Sequence, residues 1–341
     1  MGSPQITENP TIAVDEDEEN GISAECKELI HGCRKEKGWR TSFLYEFQGF
    51  WCQPKEIDAI LSFQKHYLAR DSDVILATIP KSGTTWIKSL TFAIMNRNNV
   101  PVSDGNHPLL ASNPHDLVPF FEYKLYANNQ NPNLSILPKP RIFATHIPFG
   151  SLSESIKSSD CRIVYVCRNP LDTFISSWHY INQLGRESRP PIPLEEAFDM
   201  YCKGVIGYGP FWEHMLGYWK ESQERPSKVL FMTYEYMKED AMSHVKMLAN
   251  FLGLPFSVEE EKQGLIEEIV KLCSFKKLKD LEVNQNGKSI KNFENKHLFR
   301  KGEVGDWVNY LSPSMVHQLS KIMDEKLGDF GLKFKVCSTV P

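Results

Sequence analysis

The sequence predicts a single α/β domain: a central parallel sheet flanked by helices. Apolar runs bounded by turns recur along the chain, and amphipathic stretches follow several of them. The runs cover residues 74–79, 141–145, 162–167 and 228–233. Strands that alternate with helices form parallel sheets covered on both sides, and such sheets bind ligands at the carboxyl ends of their strands. We therefore expect functional residues directly after these runs.

Length and composition are compatible with one large core. The chain has 341 residues, of which 41% are hydrophobic, and no repeat or low-complexity linker divides it after residue 22. Residues 1–22 are polar and acidic, so we expect a disordered tail followed by one domain over residues 23–341. Lys and Arg number 39 against 43 Asp and Glu, a net charge of −4. This balance argues against a nucleic-acid partner, which needs a basic stripe.

Three features predict a cytoplasmic protein without a membrane partner. No stretch approaches the roughly 20 apolar residues that span a bilayer. Residues 1–19 lack the basic start and apolar core of a secretory signal. The eight cysteines are scattered and form no CxxC pair, which is typical of a reduced compartment.

The segment 78–86, TIPKSGTTW, carries the most specific signal. It joins an apolar run to a helical pattern, so a strand, a Gly turn and a helix N-terminus follow one another. Free N–H groups and the helix dipole make such a turn an anion site, and Lys81 adds a full charge. Lys81 precedes the Gly of the turn, whereas the Lys of a nucleoside-triphosphate loop follows the second Gly. The turn is therefore P-loop-like without being a nucleoside-triphosphate loop.

Two later motifs supply further cations. The run YVCRNP at 165–170 ends a predicted strand with Arg168, and Ser176 lies two turns into the next helical pattern. The motif RKGEVGDW at 300–307 places two adjacent cations before a Gly, where the backbone can approach an anion closely. Either motif alone is also compatible with a solvated surface feature. Three anion-binding motifs in a nearly neutral chain indicate a ligand with anionic groups at both ends.

Together these motifs resemble those of the plant-type cytosolic sulfotransferases, in the same order and over roughly residues 40 to 325. The resemblance implies 3′-phosphoadenylyl sulfate (PAPS) as cosubstrate and 3′-phosphoadenosine 5′-phosphate (PAP) as product. It implies a 5′-phosphosulfate site made by Lys81, Ser82, Gly83, Thr84 and Thr85. It implies a 3′-phosphate site made by Arg168, Ser176, Arg300, Lys301 and Gly302.

The same resemblance assigns the adenine contacts. They fall on Trp86, Tyr234 and Phe275, with Cys273 and Ser274 beside them. Aromatic rings suit this role because stacking is possible on any π-face. Cys273 stands where many relatives have Thr, so we expect a weaker hydrogen bond to the nucleotide there. Without the resemblance, these aromatic residues would be interpreted as core.

His146 is the candidate general base. It lies in FATHIP at 143–148, at the end of an apolar run. An attacking hydroxyl must lose a proton, and His has a suitable pKa. The resemblance places the catalytic His of the family here and implies in-line transfer of the sulfonate, with Lys81 stabilising charge on the leaving phosphate. It implies no metal, and no Cys, His or Asp cluster has metal-ligand spacing.

The acceptor is the least specified part of the site. Segments 113–119 and 207–210 resemble the plant branch, which implies a small hydroxylated acceptor: a flavonol, hydroxyjasmonate, brassinosteroid or desulfoglucosinolate. The aromatic content favours a flavonoid-type phenol, with residues 185–193 as a gate. Candidate pocket residues are Trp51, Phe120, Phe121, Tyr123, Trp178 and Tyr180.

Two other functions and the assembly stay open at this point. One alternative is a nucleotide-binding protein that has lost catalysis. The other is an ATP-dependent kinase, which requires a magnesium-binding carboxylate that no motif supplies. The segment through which animal relatives dimerise is absent after Trp307, so we expect a monomer or a weak homodimer.

Overall fold

The centre of the protein is a four-stranded parallel sheet, and the computed structural model describes residues 20–39, 41–184, 190–289 and 294–334. The strands are β1 (Lys35–Lys37), β2 (Phe43–Phe47), β3 (Phe50–Cys52), β4 (Val74–Thr78), β5 (Ile142–Thr145), β6 (Arg162–Cys167) and β7 (Val229–Thr233). The parallel sheet has the order β5-β4-β6-β7. The predicted α/β fold with a central parallel sheet is confirmed.

Both faces of this sheet are buried, which explains why its strands read as continuous apolar runs. Ile75 and Ala77 of β4 belong to one buried apolar cluster, whereas Val74 and Leu76 belong to a second cluster on the opposite face. The same alternation continues in β6. Val74 pairs with Ile142 on one side and Arg162 on the other.

Helices cover both faces of the sheet. They are α1 (Ala24–His31), α2 (Pro54–His66), α3 (Thr84–Asn96), α4 (Pro108–Ala111), α5 (Pro114–Leu117), α6 (Glu154–Ser158), α7 (Pro170–Gln183), α8 (Leu194–Cys202), α9 (Phe211–Glu224), α10 (Tyr234–Glu239), α11 (Ala241–Phe251), α12 (Val258–Lys262), α13 (Leu265–Leu272), α14 (Phe275–Lys279), α15 (Glu282–Asn286) and α16 (Pro313–Leu327). Asn169 caps α7 by accepting the N–H of Leu171, and Pro170 follows it at the first helical position, where proline is favoured.

A second sheet was not predicted from the sequence. Strands β1, β2 and β3 form an antiparallel sheet, and each has only three to five residues, too few for a clear periodic pattern. Gln48 and Gly49 connect β2 and β3 with φ angles of 50° and 85°. Positive φ at both positions is typical of the two-residue turns that close hairpins. This turn was the signal that the sequence reading missed.

The apolar periodicity of residues 241–252 predicts Met242 on the buried face of α11, but 39% of it is exposed, because the apolar stripe begins at Val245. Most of the expected acidic tail, residues 1–19, lies outside the described residues, as do residues 185–189 of the expected gate.

A buried ion pair fixes the amino end of the parallel sheet. Arg141 is 4% exposed and Asp73 is fully buried, and the guanidinium binds both carboxylate oxygens, with 2.8 Å between Nε and Oδ1. Tyr67 donates its hydroxyl to Oδ2 of Asp73 at 2.8 Å. The backbone of Asp73 also accepts the N–H of Arg162, so one residue connects β4, β5 and β6.

We predict that Asp73→Asn lowers the free energy of unfolding by about 3 kcal/mol, because it leaves the Arg141 charge buried without a carboxylate. Tyr67→Phe removes one hydrogen bond and should cost about 1 kcal/mol. Urea unfolding followed by tryptophan fluorescence measures both changes. Glu325→Gln is the control, since its pair with Lys321 is exposed and should contribute less than about 0.5 kcal/mol. Equal losses for Asp73→Asn and Glu325→Gln would contradict the structural role of the buried pair.

Candidate active site

The four parallel strands end at one edge of the sheet, and a predicted site residue follows each of them. These residues are Lys81 after β4, His146 after β5, Arg168 after β6 and Tyr234 after β7. All four line one cavity of about 820 Å³. The cavity therefore lies where parallel sheets bind their ligands.

The turn after β4 has an unusual backbone. Lys81 has a φ of 70° and Gly83 a φ of 109°, and α3 begins at the next residue. A Cβ at Gly83 would lie 2.8 Å from the ring of Tyr234, so a larger residue is excluded there. The Lys81 ammonium lies 3.8 Å from the centre of the Tyr180 ring, a cation–π contact. The turn therefore presents Lys81 to the cavity together with the first turn of α3.

The amine of Lys81 has a strongly perturbed pKa. Burial is the main cause, and the nearby charges of Arg168 and Arg300 act in the same direction, so the pKa falls to about 7. Like charges have thus been brought together in a poorly solvated space. An anion placed among these cations would raise the pKa of Lys81 again, because it stabilises the ammonium.

Asp306 binds the two cations of the 300–307 motif, Arg300 and Lys301. Its carboxylate binds Arg300 Nη1 at 2.5 Å and Lys301 Nζ at 2.6 Å. Burial opposes ionisation of Asp306, but the hydrogen bonds from Lys301 and Arg300 outweigh it and lower the pKa to about 2. The two cations are therefore kept in place without a ligand.

Asp172, in the first turn of α7, connects the 300–307 motif to the 165–170 motif. It accepts the N–H of Gly305 at 2.7 Å and that of Trp307 at 3.2 Å. Its carboxylate lies 3.6 Å from Arg168, whose guanidinium also donates to the carbonyl of Glu303 at 2.6 Å. The structure thus brings the 165–170 and 300–307 motifs together. Sequence reasoning gave Asp172 and Asp306 no role, although Asp306 lies within the 300–307 motif and Asp172 lies two residues after the 165–170 motif.

Aromatic rings line the same cavity as the cations. Trp86 and Tyr234 make an edge contact with 5.5 Å between ring centres, and Phe275 lines the same cavity. Tyr234 donates its hydroxyl to the carbonyl of Gly302 at 3.0 Å. Gly302 has a φ of 67°, and a Cβ there would lie 2.5 Å from the Phe275 ring. These rings therefore contribute flat apolar surface to the cavity.

Cys273, Ser274 and Ser176 also line the cavity. Burial raises the pKa of the Cys273 thiol to about 12, so it remains a weak neutral donor. Ser274 caps α14 by accepting the N–H of Lys277, and its hydroxyl donates to the carbonyl of Lys271. Its side chain is therefore engaged in helix capping.

Ser82 does not line the cavity, in contrast to the expectation for its hydroxyl. Its side chain is fully buried, and Oγ has no partner among the described residues. Its N–H donates to the carbonyl of Ile79 at 3.3 Å. Lys81 directly before it has a positive φ, a backbone conformation that the sequence pattern does not reveal.

The candidate acceptor residues divide into two groups. Phe120, Tyr123 and Tyr180 line the cavity. Trp51, Phe121 and Trp178 do not: Trp51 packs against Leu44 and Val205, Phe121 stacks in the core, and Trp178 donates to the carbonyl of Ile192. Sequence reasoning missed several other residues that line the cavity, namely Trp39, Leu44, Ile206 and Tyr208. The first two belong to or precede the unpredicted antiparallel sheet, for which the turn at Gln48 and Gly49 was the available signal.

His146 is fixed at the cavity by its neighbours. Nδ1 donates to the carbonyl of Thr78 at 2.7 Å, because a carbonyl only accepts, and this leaves Nε2 with a lone pair. The backbone N–H of His146 donates to Oε1 of Glu122 at 2.6 Å. Burial lowers the pKa of His146 to about 3, with smaller contributions from the charges of Lys88 and Lys81. The imidazole is therefore neutral near pH 7 with a lone pair on Nε2, although this low pKa makes it a weaker base than an ordinary histidine.

A buried polar group that sequence reasoning missed lies behind the first turn of α3. It consists of Lys88 and His115, and His115 contacts the hydroxyl of Thr85. A lysine on the otherwise buried face of a helix was the available signal. Among the described residues, no group of three His, Cys, Asp or Glu side chains is arranged to hold a metal ion. None of the described helices is both long and apolar enough to cross a membrane.

Comparison with known proteins gives consistent matches. A sulfotransferase domain family model matches residues 71–331. Cytosolic sulfotransferase 15 of Arabidopsis thaliana is 62% identical over 322 residues, which are 94% of this chain and 90% of that protein. A solved sulphotransferase structure from Arabidopsis thaliana has 42% identity and a TM-score of 0.74, covering 92% of this chain and 98% of that one. A mouse sulfotransferase complexed with PAP has 25% identity and a TM-score of 0.65, covering 84% and 96%.

We predict that the Lys81 amine titrates near pH 7 in the ligand-free protein, losing its charge as the pH rises through that value. Reductive ¹³C-methylation of the lysines followed by an NMR pH titration measures this. Lys81→Arg identifies the signal by its disappearance. A Lys81 signal that titrates near 10.5, like an exposed lysine, would contradict the crowding of cations described above.

Proposed function

This chain is a sulfotransferase of the plant-type cytosolic family, and on that premise we propose that it transfers the sulfonate of PAPS to a hydroxyl of a small aromatic acceptor. One observation carries the proposal: two cationic regions, aromatic rings and the neutral His146 line a single cavity. One cavity can therefore hold both an acceptor and a donor that has anionic groups at its two ends.

The cations and rings fit the parts of PAPS. Lys81 and the first turn of α3 would bind the 5′-phosphosulfate, and Arg168, Ser176 and Arg300 would bind the 3′-phosphate. The rings of Trp86, Tyr234 and Phe275 would contact the adenine. The PAP-bound mouse relative supports PAP as the nucleotide of this cavity, because 84% of this chain aligns with it.

In-line displacement follows from this arrangement. Nε2 of His146 accepts the proton of the acceptor hydroxyl while the oxygen forms a bond to sulfur. The bond between sulfur and the bridging phosphate oxygen breaks, and PAP leaves with the electron pair. Lys81 stabilises the negative charge that builds up on that oxygen. The resulting imidazolium returns its proton to water.

Aromatic residues around His146 favour a flat, phenolic acceptor. The ring of His146 lies 4.8 Å from that of Phe120, 5.9 Å from Tyr123 and 5.6 Å from Tyr208, measured between centres. Offset stacking against such walls stabilises a planar ligand. We therefore propose a flavonoid-type phenol, with hydroxyjasmonates, brassinosteroids and desulfoglucosinolates as the other acceptors to compare.

We predict that His146→Ala lowers kcat by roughly 10²- to 10⁴-fold, the usual contribution of a general base. PAP affinity should change by less than about threefold, since the base does not hold the nucleotide. Single-turnover sulfonation and calorimetry of PAP binding measure the two quantities. Undiminished turnover would remove His146 from this role.

Lys81→Met should lower both turnover and PAP affinity, because the missing charge stabilises the bound ligand and the leaving group alike. The reaction should continue in EDTA, which separates sulfonate transfer from an ATP-dependent kinase that needs Mg²⁺. Normal PAPS turnover by Lys81→Met would contradict the phosphosulfate site.

For the acceptor, we expect the highest kcat/KM with flavonoid-type phenols when the four acceptor classes are incubated with PAPS and the products are measured by mass spectrometry. Tyr208→Ala should lower kcat/KM for these phenols without changing PAP affinity, and Trp51→Phe, which lies away from the cavity, is the control. A preference for a non-aromatic acceptor would contradict the proposed acceptor while leaving the donor assignment intact.

A further inference from the structure

Lys88 is a buried lysine to which the proposed mechanism gives no role. It is fully buried on α3, and none of the described carboxylates lies within ion-pair distance of it. Its Nζ lies 2.9 Å from Nδ1 of His115 and 3.3 Å from the centre of the Phe120 ring. Burying an amine without a carboxylate costs stability. An apolar side chain would fill this position more favourably if packing were its only purpose.

His115 connects Lys88 to the cavity. Its Nε2 lies 3.1 Å from Oγ1 of Thr85, and Thr85 lines the cavity. The imidazole stacks on Phe120 with 5.3 Å between ring centres and 15° between planes. Its backbone N–H donates to Oδ1 of Asn113 at 2.8 Å. Packing therefore fixes the ring, and both ring nitrogens have a defined partner.

The chemistry of the three groups allows only two directions for this chain of hydrogen bonds. Burial and the charge of Lys88 keep the pKa of His115 well below its usual value, so the imidazole is neutral, with one N–H and one acceptor nitrogen. If Lys88 donates to Nδ1, then Nε2 carries the proton and donates to Thr85. The hydroxyl proton of Thr85 is then left for the cavity. In the opposite direction Thr85 donates to His115 and presents only lone pairs to the cavity.

We propose that Lys88 and His115 are positioning residues that hold the Thr85 hydroxyl as a hydrogen-bond donor toward the 5′-phosphosulfate. The inference rests on the proposed function, because the phosphosulfate oxygens accept hydrogen bonds and cannot donate. Lys88 suits this position since an ammonium can only donate, and a neutral amine still carries two N–H groups. Burial lowers the pKa of Lys88 while the charge of Glu122 opposes the shift, and donation to His115 is possible in either state.

A double-mutant cycle on PAP binding tests the connection. Thr85→Val removes the hydroxyl at nearly constant shape and should weaken PAP binding about tenfold to a hundredfold, as for other hydrogen bonds to charged groups. Lys88→Met should weaken binding at least about threefold in the wild-type background and should have no further effect in the Thr85→Val background. Thr85→Ser retains the donor and should restore the sensitivity to Lys88→Met.

Thr91→Val is the matched control. Thr91 lies on the same helix, is fully buried, and its hydroxyl has no partner among the described residues. The same replacement there should leave PAP affinity unchanged. If Lys88→Met weakens PAP binding by the same factor with and without the Thr85 hydroxyl, Lys88 acts through general packing or charge and the relay is overturned.

The direction of the hydrogen bonds is tested without any ligand. Long-range ¹H–¹⁵N NMR spectra of ¹⁵N-histidine-labelled protein, assigned with His115→Gln, should show the proton of His115 on Nε2. A proton on Nδ1 would refute the proposed direction. Wild-type protein that does not bind PAP would instead refute the proposed function, so the two failures are distinguishable.

Discussion

Repulsion among cations at the carboxyl edge of the sheet is the constraint on which the arrangement depends. Burial is the main cause of the lowered pKa of Lys81, and the charges of Arg168 and Arg300 lower it further even without a ligand. Asp172 and Asp306 offset part of this charge, and the same carboxylates hold the loop that carries the 300–307 motif. Charge balance and loop position therefore depend on the same few bonds. The Nε atoms of both arginines remain buried without a partner in the described part of the chain, which leaves donors for an anion.

The opposite edge of the sheet has the reverse character. There Asp73 and Arg141 satisfy one another fully, and their backbone groups also pair the starts of three strands. A satisfied buried network rigidifies its surroundings, whereas incompletely satisfied donors remain available for binding. The amino ends of these strands therefore contribute rigidity. The carboxyl ends contribute binding groups that are incompletely paired before a ligand binds.

Much of this could be predicted from the sequence, and the failures have definite causes. The four parallel strands were located within one residue at either end, because strands buried on both faces read as unbroken apolar runs. Lys81, His146 and Arg168 could be placed because each directly follows such a run. Ser82 could not, since the sequence pattern does not reveal the positive φ of the residue before it. His115 could not either, because its partners Thr85 and Lys88 are 30 and 27 residues away along the chain.

The cavity walls come from different parts of the fold. In the proposed assignment, Lys81 and Arg168 on the donor side follow central strands, whereas the acceptor side takes Trp39 and Leu44 from the region of the small antiparallel sheet and Tyr208 from a connecting segment. These peripheral segments can change without disturbing the pairing of the central strands. Substitutions in these segments can therefore reshape one side of the cavity while Lys81 and Arg168 keep their places at the ends of the central strands.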